Sequence, residues 1–84
     1  MKPVIVYTTL FCPYCTAAKS LLTKKGVPFE EIDATGNSDL RQEIMERSGQ
    51  HTVPQIFIGE QSVGGFSELN ELDMCGELDE LLAD

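Results

Sequence analysis

The sequence predicts one small α/β domain, in which helices flank a four-stranded mixed sheet in the order β-α-β-α-β-β-α. Two observations support this prediction. Short β-prone apolar runs alternate with segments whose apolar residues recur at helical spacing, which is typical of helices packed on a sheet. With 84 residues, 42% of them hydrophobic, the chain can form one modest core, so residues 1–84 are expected to be a single domain.

The first part of the chain has the pattern of a β-α-β unit. Residues 4–7 are a continuous β-prone apolar run, typical of a strand that is covered on both faces. Pro13 suits the first turn of a helix, and the basic residues and glycine at 24–26 suit its end. Residues 27–33 indicate a second strand, and the helix between the two strands predicts that they pair in parallel.

A second helix and a hairpin are expected next. Apolar residues between Leu40 and Met45 form a helical stripe, which ends near Gly49. Residues 55–58 follow a proline and indicate a third strand, and a polar turn then leads to a brief fourth strand at Val63. The short turn predicts that these two strands form a β-hairpin.

The tail of the chain is predicted to be helical. From Ser67 onward, leucines recur at helical spacing, with Gly76 as an expected break. Cys75 lies three residues after Leu72 and three before Leu78, so we expect it to be a small, buried or half-buried member of this stripe. The alternative is a regulatory thiol that can be glutathionylated.

Charge and composition exclude several classes of partner. Six Lys and Arg against 14 Asp and Glu give a formal charge of −8, which disfavours binding to nucleic acid. The N-terminal apolar run is too short for a secretory signal, and no stretch approaches the roughly 18 apolar residues of a membrane span. We therefore expect a cytoplasmic protein with no membrane partner, in which a close pair of cysteines is more often catalytic or metal-binding than structural.

Two cysteines stand at the predicted start of the first helix, in the sequence Cys12-Pro13-Tyr14-Cys15. Because Pro13 marks the helix start, Cys12 falls at or near the N-cap, where unpaired N–H groups and the helix dipole stabilise a thiolate. Cys15 continues the inward-facing stripe of the helix and is expected to be the more buried sulfur. The pattern therefore predicts that Cys12 attacks disulfides and that Cys15 resolves the mixed disulfide.

The same spacing of cysteines also occurs as half of a zinc site. The candidates for soft ligands are Cys12, Cys15, His51 and Cys75, there is no second C-x-x-C, and Cys15 is required by the core face of its helix. We therefore expect no metal site. An inert, buried pair of cysteines is not expected either, because the helix-start position with a proline between the thiols does not suit it.

Three motifs are similar to those of a known family: "CPYC" at residues 12–15, "TVPQIFI" at 52–58 and "GG" at 64–65. At these separations, the chain resembles a dithiol glutaredoxin of the short bacterial type over essentially its whole length. The resemblance implies a thioredoxin fold and glutathione as co-substrate, with no tightly bound cofactor. It also implies a cis peptide between Val53 and Pro54, beside which an extended peptide such as glutathione could pair with the backbone of residue 53.

The resemblance also implies a glutathione groove. Its members would be Tyr14, Arg41, Thr52, Val53, Pro54, Gly65, Phe66, Ser67 and Glu68. Arg41 would bind the glycine carboxylate, and Glu68 would meet the γ-glutamyl amino group. Two features depart from the family pattern. Thr9 stands where many relatives have a lysine, and the segment Phe66-Ser67-Glu68 replaces the usual acidic or serine residue followed by aspartate.

Four further residues have predicted roles. Tyr7 and Phe57 are expected in the core. Phe11, a large apolar residue at a loop tip before the dithiol, indicates a contact surface. His51, the only histidine, is expected to be a solvated turn residue, with contact to substrate as the alternative.

Together these features predict a glutathione-dependent thiol-disulfide oxidoreductase that reduces protein disulfides and glutathione mixed disulfides. Its partners would be glutathione and disulfide-containing or glutathionylated proteins, and we expect a monomer. One alternative is a redoxin reduced by a flavoprotein thioredoxin reductase, as in partners of ribonucleotide reductase, which would not need Arg41 or the groove. Another is an iron-sulfur cluster carrier, in which Cys12 and glutathione would hold a cluster between two subunits, although Pro13 and a second cysteine disfavour it.

Overall fold

The predicted order of strands and helices is confirmed, with the C-terminal helix divided in two. The structure is a computed structural model that describes residues 1–83. The elements are β1 (Val4–Thr8), α1 (Pro13–Lys24), β2 (Glu30–Asp33), α2 (Ser38–Ser48), β3 (Gln55–Ile58), β4 (Gln61–Gly64), α3 (Phe66–Met74) and α4 (Glu77–Leu82).

The four strands form one mixed sheet in the order β2-β1-β3-β4. The predicted parallel pair is present, with Tyr7 of β1 opposite Ile32 of β2. β3 runs antiparallel to β1, with Phe57 opposite Ile5, and β4 forms the predicted hairpin with β3. This order places the loop that follows β1, which carries the dithiol, between the ends of β2 and β3.

Alternation along the strands divides the core between the two faces of the sheet. On one face, Val4 and Val6 pack in a cluster with apolar residues of α1, α3 and α4. On the other face, Tyr7 and Phe57 pack with Ile44 of α2, and the two aromatic rings meet edge to face with centroids 5.6 Å apart. Tyr7 and Phe57 are therefore core residues, as predicted.

The start of the second strand differs from the sequence prediction. β2 begins at Glu30 and not at Val27, because the Val27 N–H donates to the Leu22 carbonyl at the end of α1 and Pro28 has no N–H to offer a strand. The expected break at Gly76 is confirmed: its φ of +82° is readily adopted by glycine and ends one helix before the next begins.

The prediction that Cys75 is buried or half-buried is wrong, because its side chain is exposed. α3 ends at Met74, so Cys75 is the C-cap residue and the inward-facing stripe does not continue through it. Its thiol lies 3.6 Å from the Leu72 carbonyl oxygen, which keeps the sulfur close to the helix end. Of the helices in residues 1–83, none combines the length and the apolar character needed to cross a membrane.

Candidate active site

Cys12 is the N-cap residue of α1, as its place before Pro13 predicted. Its half-buried sulfur accepts a hydrogen bond from the Cys15 N–H at 3.2 Å and lies 3.7 Å from the Val53 carbonyl oxygen. As a thiol, Cys12 can donate a hydrogen bond to the Val53 carbonyl oxygen. As a thiolate, it would be stabilised by the hydrogen bond from the Cys15 N–H and by the positive end of the helix dipole. The position therefore suits a nucleophilic sulfur that is still accessible to a disulfide.

Cys15 occupies the opposite environment, one turn into the same helix. Only 2% of its surface is exposed. Burial raises the pKa of the Cys15 thiol from its ordinary value of 9.0 to about 11, and the hydrogen bond with Cys12 acts in the same direction. A hydrogen bond from the Thr9 main chain and the charge of Lys19 oppose the rise in pKa without cancelling it. Cys15 therefore remains a protonated thiol at neutral pH.

One pocket beside the dithiol gathers most of the residues of the expected groove. It has a volume of about 210 Å³ and is lined by Tyr14, Thr52, Val53, Pro54, Gly65, Phe66, Ser67 and Glu68. The rings of Tyr14 and Phe66 stack across it with centroids 6.2 Å apart. The peptide bond between Val53 and Pro54 is cis, as the family resemblance implied. The residues from these three segments, distant in sequence, thus form one surface next to the Cys12 sulfur.

Arg41 lines a different pocket, next to this one. That pocket has a volume of about 280 Å³, and His51 is among its lining residues. The Arg41 guanidinium Nη2 donates to the His51 carbonyl oxygen at 3.2 Å. Because His51 immediately precedes Thr52, Arg41 is held at the end of the groove and not within it.

Glu68 caps α3 through its side chain. Its Oε1 accepts a hydrogen bond from the Gly65 N–H at 3.1 Å, which satisfies a donor at the helix start. A Cβ atom at Gly64 would lie 2.7 Å from the same oxygen, and the φ of Gly64 is +112°. The double glycine of the sequence therefore makes room for this carboxylate.

A second cleft of about 420 Å³, on the β2 side of the dithiol loop, contains residues that the sequence analysis did not single out. In it, Glu31 Oε2 accepts hydrogen bonds from Lys19 at 3.0 Å and from the Thr8 hydroxyl at 2.9 Å, and these bonds lower the pKa of Glu31. Asp33 also lines the cleft. Glu31 and Asp33 alternate along one edge strand, which is the signal in the sequence that could have placed them together.

The loop tip before Cys12 presents apolar side chains to solvent. Phe11 is 99% exposed and has a φ of 58°, in the left-handed region that a bulky residue seldom adopts. Leu10 and Tyr14, on either side of the dithiol entrance, are also exposed. The role of Phe11 as a contact surface stays a prediction that this exposure permits.

A helix-start dithiol with one accessible and one buried sulfur, next to a proline loop on this sheet, defines a thiol-disulfide oxidoreductase of the thioredoxin fold. The glutaredoxin family model matches residues 4–63. The chain is 52% identical to a glutaredoxin of Pseudomonas aeruginosa over 99% of both chains, and 51% identical to glutaredoxin 3 of Escherichia coli, covering 98% of this chain and 99% of that protein.

Solved structures agree with these relatives. The solution structure of glutaredoxin from Brucella melitensis has a TM-score of 0.87 and 54% identity, covering 98% of this chain and 89% of that one. A buckwheat glutaredoxin-glutathione complex has a TM-score of 0.88 and 30% identity, covering 96% of this chain and 76% of that one. The chain therefore belongs to the glutaredoxin family, and it is a glutathione-dependent disulfide oxidoreductase. Neither the flavoprotein-reduced redoxin nor the cluster carrier is favoured by these matches.

Proposed function

We propose that this protein reduces both protein disulfides and glutathione mixed disulfides, with Cys12 as the nucleophile and Cys15 as the resolving thiol. The observation that carries the proposal is the contrast between the two sulfurs. The Cys12 sulfur is accessible and accepts an N–H bond at a helix start, whereas the Cys15 thiol is buried with its pKa raised to about 11. Only a thiolate attacks a disulfide, so the first attack falls to Cys12.

On a glutathionylated protein, the Cys12 thiolate attacks the glutathione sulfur. A bond forms between Cys12 and glutathione, and the protein thiolate leaves and takes a proton from water. The thiolate of a second glutathione then attacks the bound glutathione sulfur, which releases oxidised glutathione and restores the Cys12 thiolate. Cys15 takes no part in this cycle.

On a protein disulfide, Cys12 forms a mixed disulfide with one protein sulfur and the other leaves as a thiolate. Cys15 then gives its proton to this thiolate and attacks the Cys12 sulfur. The bond between Cys12 and the substrate breaks as Cys12 and Cys15 form a disulfide, and the second substrate sulfur leaves as a thiolate and takes a proton from water, so that the substrate is released as a dithiol. Two glutathione molecules reduce that disulfide and become oxidised glutathione. The buried position of Cys15 protects this second thiol from wasteful exchange until Cys12 carries a substrate.

The glutathione groove is proposed to be the pocket beside Cys12, with Arg41 at its end. The pocket contains eight of the nine groove residues expected from the family resemblance. Its lining residues and its position beside the dithiol support this assignment, as does the buckwheat glutaredoxin-glutathione complex, whose fold the chain shares. Arg41 could bind a carboxylate there through a charge-assisted hydrogen bond.

We also propose that residues 1–84 form a single domain that acts as a monomer in the cytoplasm, with glutathione as co-substrate and no tightly bound cofactor. Disulfide-containing and glutathionylated proteins would be its macromolecular partners. The formal charge of −8 supports the absence of a nucleic-acid partner.

The function is tested by following reduction of a glutathionylated peptide and of a protein disulfide, each with glutathione plus glutathione reductase and with thioredoxin reductase. We expect turnover in the glutathione system and loss of both reactions in Cys12→Ser. Cys15→Ser should lose most of its protein-disulfide reduction and keep reduction of the glutathionylated peptide. Cys75→Ser is the matched control, because it removes an exposed thiol outside the dithiol.

Turnover with thioredoxin reductase alone would favour the redoxin alternative, and visible absorbance of freshly purified protein would favour the cluster carrier. Equal activity of Cys12→Ser and Cys15→Ser on both substrates would overturn the division of labour.

A further inference from the structure

Gln55, the first residue of β3, has a buried side-chain amide that is oriented in one direction. Its Nε2 donates to the Thr52 carbonyl oxygen at 2.8 Å and to Gln50 Oε1 at 2.9 Å. Because a carbonyl can only accept, the nitrogen of this amide must face the 50–52 loop. Within residues 1–83, its Oε1 is buried and has no hydrogen-bond partner. A buried acceptor without a partner costs free energy, so the hydrogen bonds that the nitrogen makes to Thr52 and Gln50 must favour this orientation.

The hydrogen bonds continue from Gln50 to the start of α3. Gln50 uses its oxygen to accept from Gln55, so its nitrogen is free to donate in the other direction, and it lies 3.5 Å from Glu68 Oε1. The same carboxylate oxygen accepts the Gly65 N–H. We refer to Gln55, Gln50 and Glu68 as the amide bridge. Within the bridge, Gln55 donates to Gln50 and Gln50 donates to the Glu68 carboxylate, so the two side-chain amides are oriented in the same direction.

The amide bridge connects the two walls of the pocket beside Cys12. Thr52–Pro54 form one wall and Gly65–Glu68 the other. The wall at Thr52 lies in a loop that no strand pairing holds. The two walls approach closely, since a Cβ atom at Gly65 would lie 3.4 Å from the Pro54 carbonyl oxygen. The last residue pair between β3 and β4 joins Ile56 to Gly64, so the amide bridge links the two walls beyond the end of the sheet.

We propose that Gln50 and Gln55 are positioning residues for glutathione: they fix the Thr52 backbone and the Glu68 carboxylate at the spacing that the ligand requires. This inference rests on the proposed function of the groove. Glu68 then contributes as the acceptor end of the bridge and the cap of α3, and not chiefly as a negative charge facing the glutamyl amino group. Neither glutamine contacts the reacting sulfurs, so their effect is on binding.

The first test is Gln50→Ala, because Gln50 is exposed and its backbone is tied separately through Ser48. With a glutathionylated peptide as substrate, we expect the KM for glutathione to rise about three- to tenfold, as for the loss of one or two hydrogen bonds, with kcat within about twofold of the wild type. Gln61→Ala removes the same atoms from an exposed glutamine outside the bridge and should keep the wild-type KM.

The second test asks whether the residues act through one another. Gln50→Ala should add little to the rise in KM caused by Glu68→Ala, whereas Glu68→Gln, which keeps an acceptor oxygen, should recover most of what Glu68→Ala loses. The Gly65 amide signal in an NMR spectrum should shift in Gln50→Ala at an unchanged melting temperature.

Any of three results would overturn the inference. The first is an unchanged KM in Gln50→Ala, and the second is independent effects of Gln50→Ala and Glu68→Ala on KM. The third is a KM in Glu68→Gln as high as in Glu68→Ala, which would show that the charge itself binds glutathione. Absence of glutathione-dependent turnover in the wild type would reject the proposed function together with the inference, whereas normal turnover with an unchanged KM would reject the inference alone.

Discussion

The raised pKa of the buried Cys15 thiol predicts that the reduced protein loses stability in alkaline solution. The unfolded chain has the ordinary thiol pKa of 9.0, and the folded protein holds it at about 11 because burial disfavours the thiolate. Below pH 9 the thiol is protonated in both states. Between pH 9 and 11 the unfolded chain loses its proton first, so the equilibrium moves towards unfolding, and above pH 11 the loss is complete.

The size of the effect follows from the two pKa values. Each unit of difference corresponds to about 1.4 kcal/mol, so the interval from 9.0 to about 11 represents about 2 to 3 kcal/mol of folding free energy. At pH 10 roughly half of this amount should already be lost. For a domain of this size, that is a large part of its total stability.

Urea unfolding of the fully reduced protein at several pH values between 7 and 10.5 measures this loss. Cys15→Ser is the reference, because serine does not ionise in this range and the groups that do not contact Cys15 are the same in the two proteins. The difference between their free energies of unfolding should be constant below pH 8 and then change by more than about 1 kcal/mol by pH 10. Parallel curves over the whole range would show that Cys15 is not held as a protonated thiol by burial.

Three further predictions concern the surroundings of the dithiol. Arg41→Ala should raise the KM for glutathione about fivefold and leave kcat nearly unchanged, since an exposed charge-assisted bond is worth about 1 kcal/mol, and an unchanged KM would remove Arg41 from the site. Thr9→Lys should increase the thiolate absorbance of the nucleophilic cysteine at neutral pH and tighten glutathione binding, and both effects should shrink at high salt. An unaltered titration curve would show that position 9 does not face the sulfur. Gly64→Ala should destabilise the fold by about 1 to 3 kcal/mol more than Gly76→Ala in thermal unfolding. Both glycines have positive φ, but only a Cβ atom at position 64 would lie against the Glu68 carboxylate. Equal losses of stability would mean that the carboxylate moves aside.

The fold was predictable because its signals are local. Each signal acts within a few residues. Examples are a proline at a helix start, a glycine at a helix end, and the spacing of apolar residues that is typical of a strand or of a helix. The places of Cys12 and Cys15 followed from the same signals, since Pro13 is the first residue of α1 and Cys12 is its N-cap. Eight of the groove residues came from the family resemblance and lie together in the structure, although the spacing within each segment could not have shown that.

What the sequence did not reveal depends on contacts between distant segments. The burial of Cys75 was predicted from a stripe that continues only if the helix does, and α3 ends one residue earlier. The hydrogen bonds from Gln55 to Gln50 and from Gln50 to Glu68 join a loop to a helix across the groove, so no local pattern indicates them. Arg41 likewise needs the approach of α2 to the 51–54 loop before its neighbour can be identified.

The spacing of the dithiol follows from the geometry of a helix start. An N-cap side chain accepts a hydrogen bond from the backbone N–H two or three residues further on, and with Cys12 at the N-cap the third residue is Cys15. Cys15 therefore caps the Cys12 sulfur with its own N–H, while its side chain enters the core one turn into the helix. Pro13, the residue after the cap, loses nothing by having no N–H. One more residue between the cysteines would remove either the cap or the buried thiol, because the same three-residue step determines both.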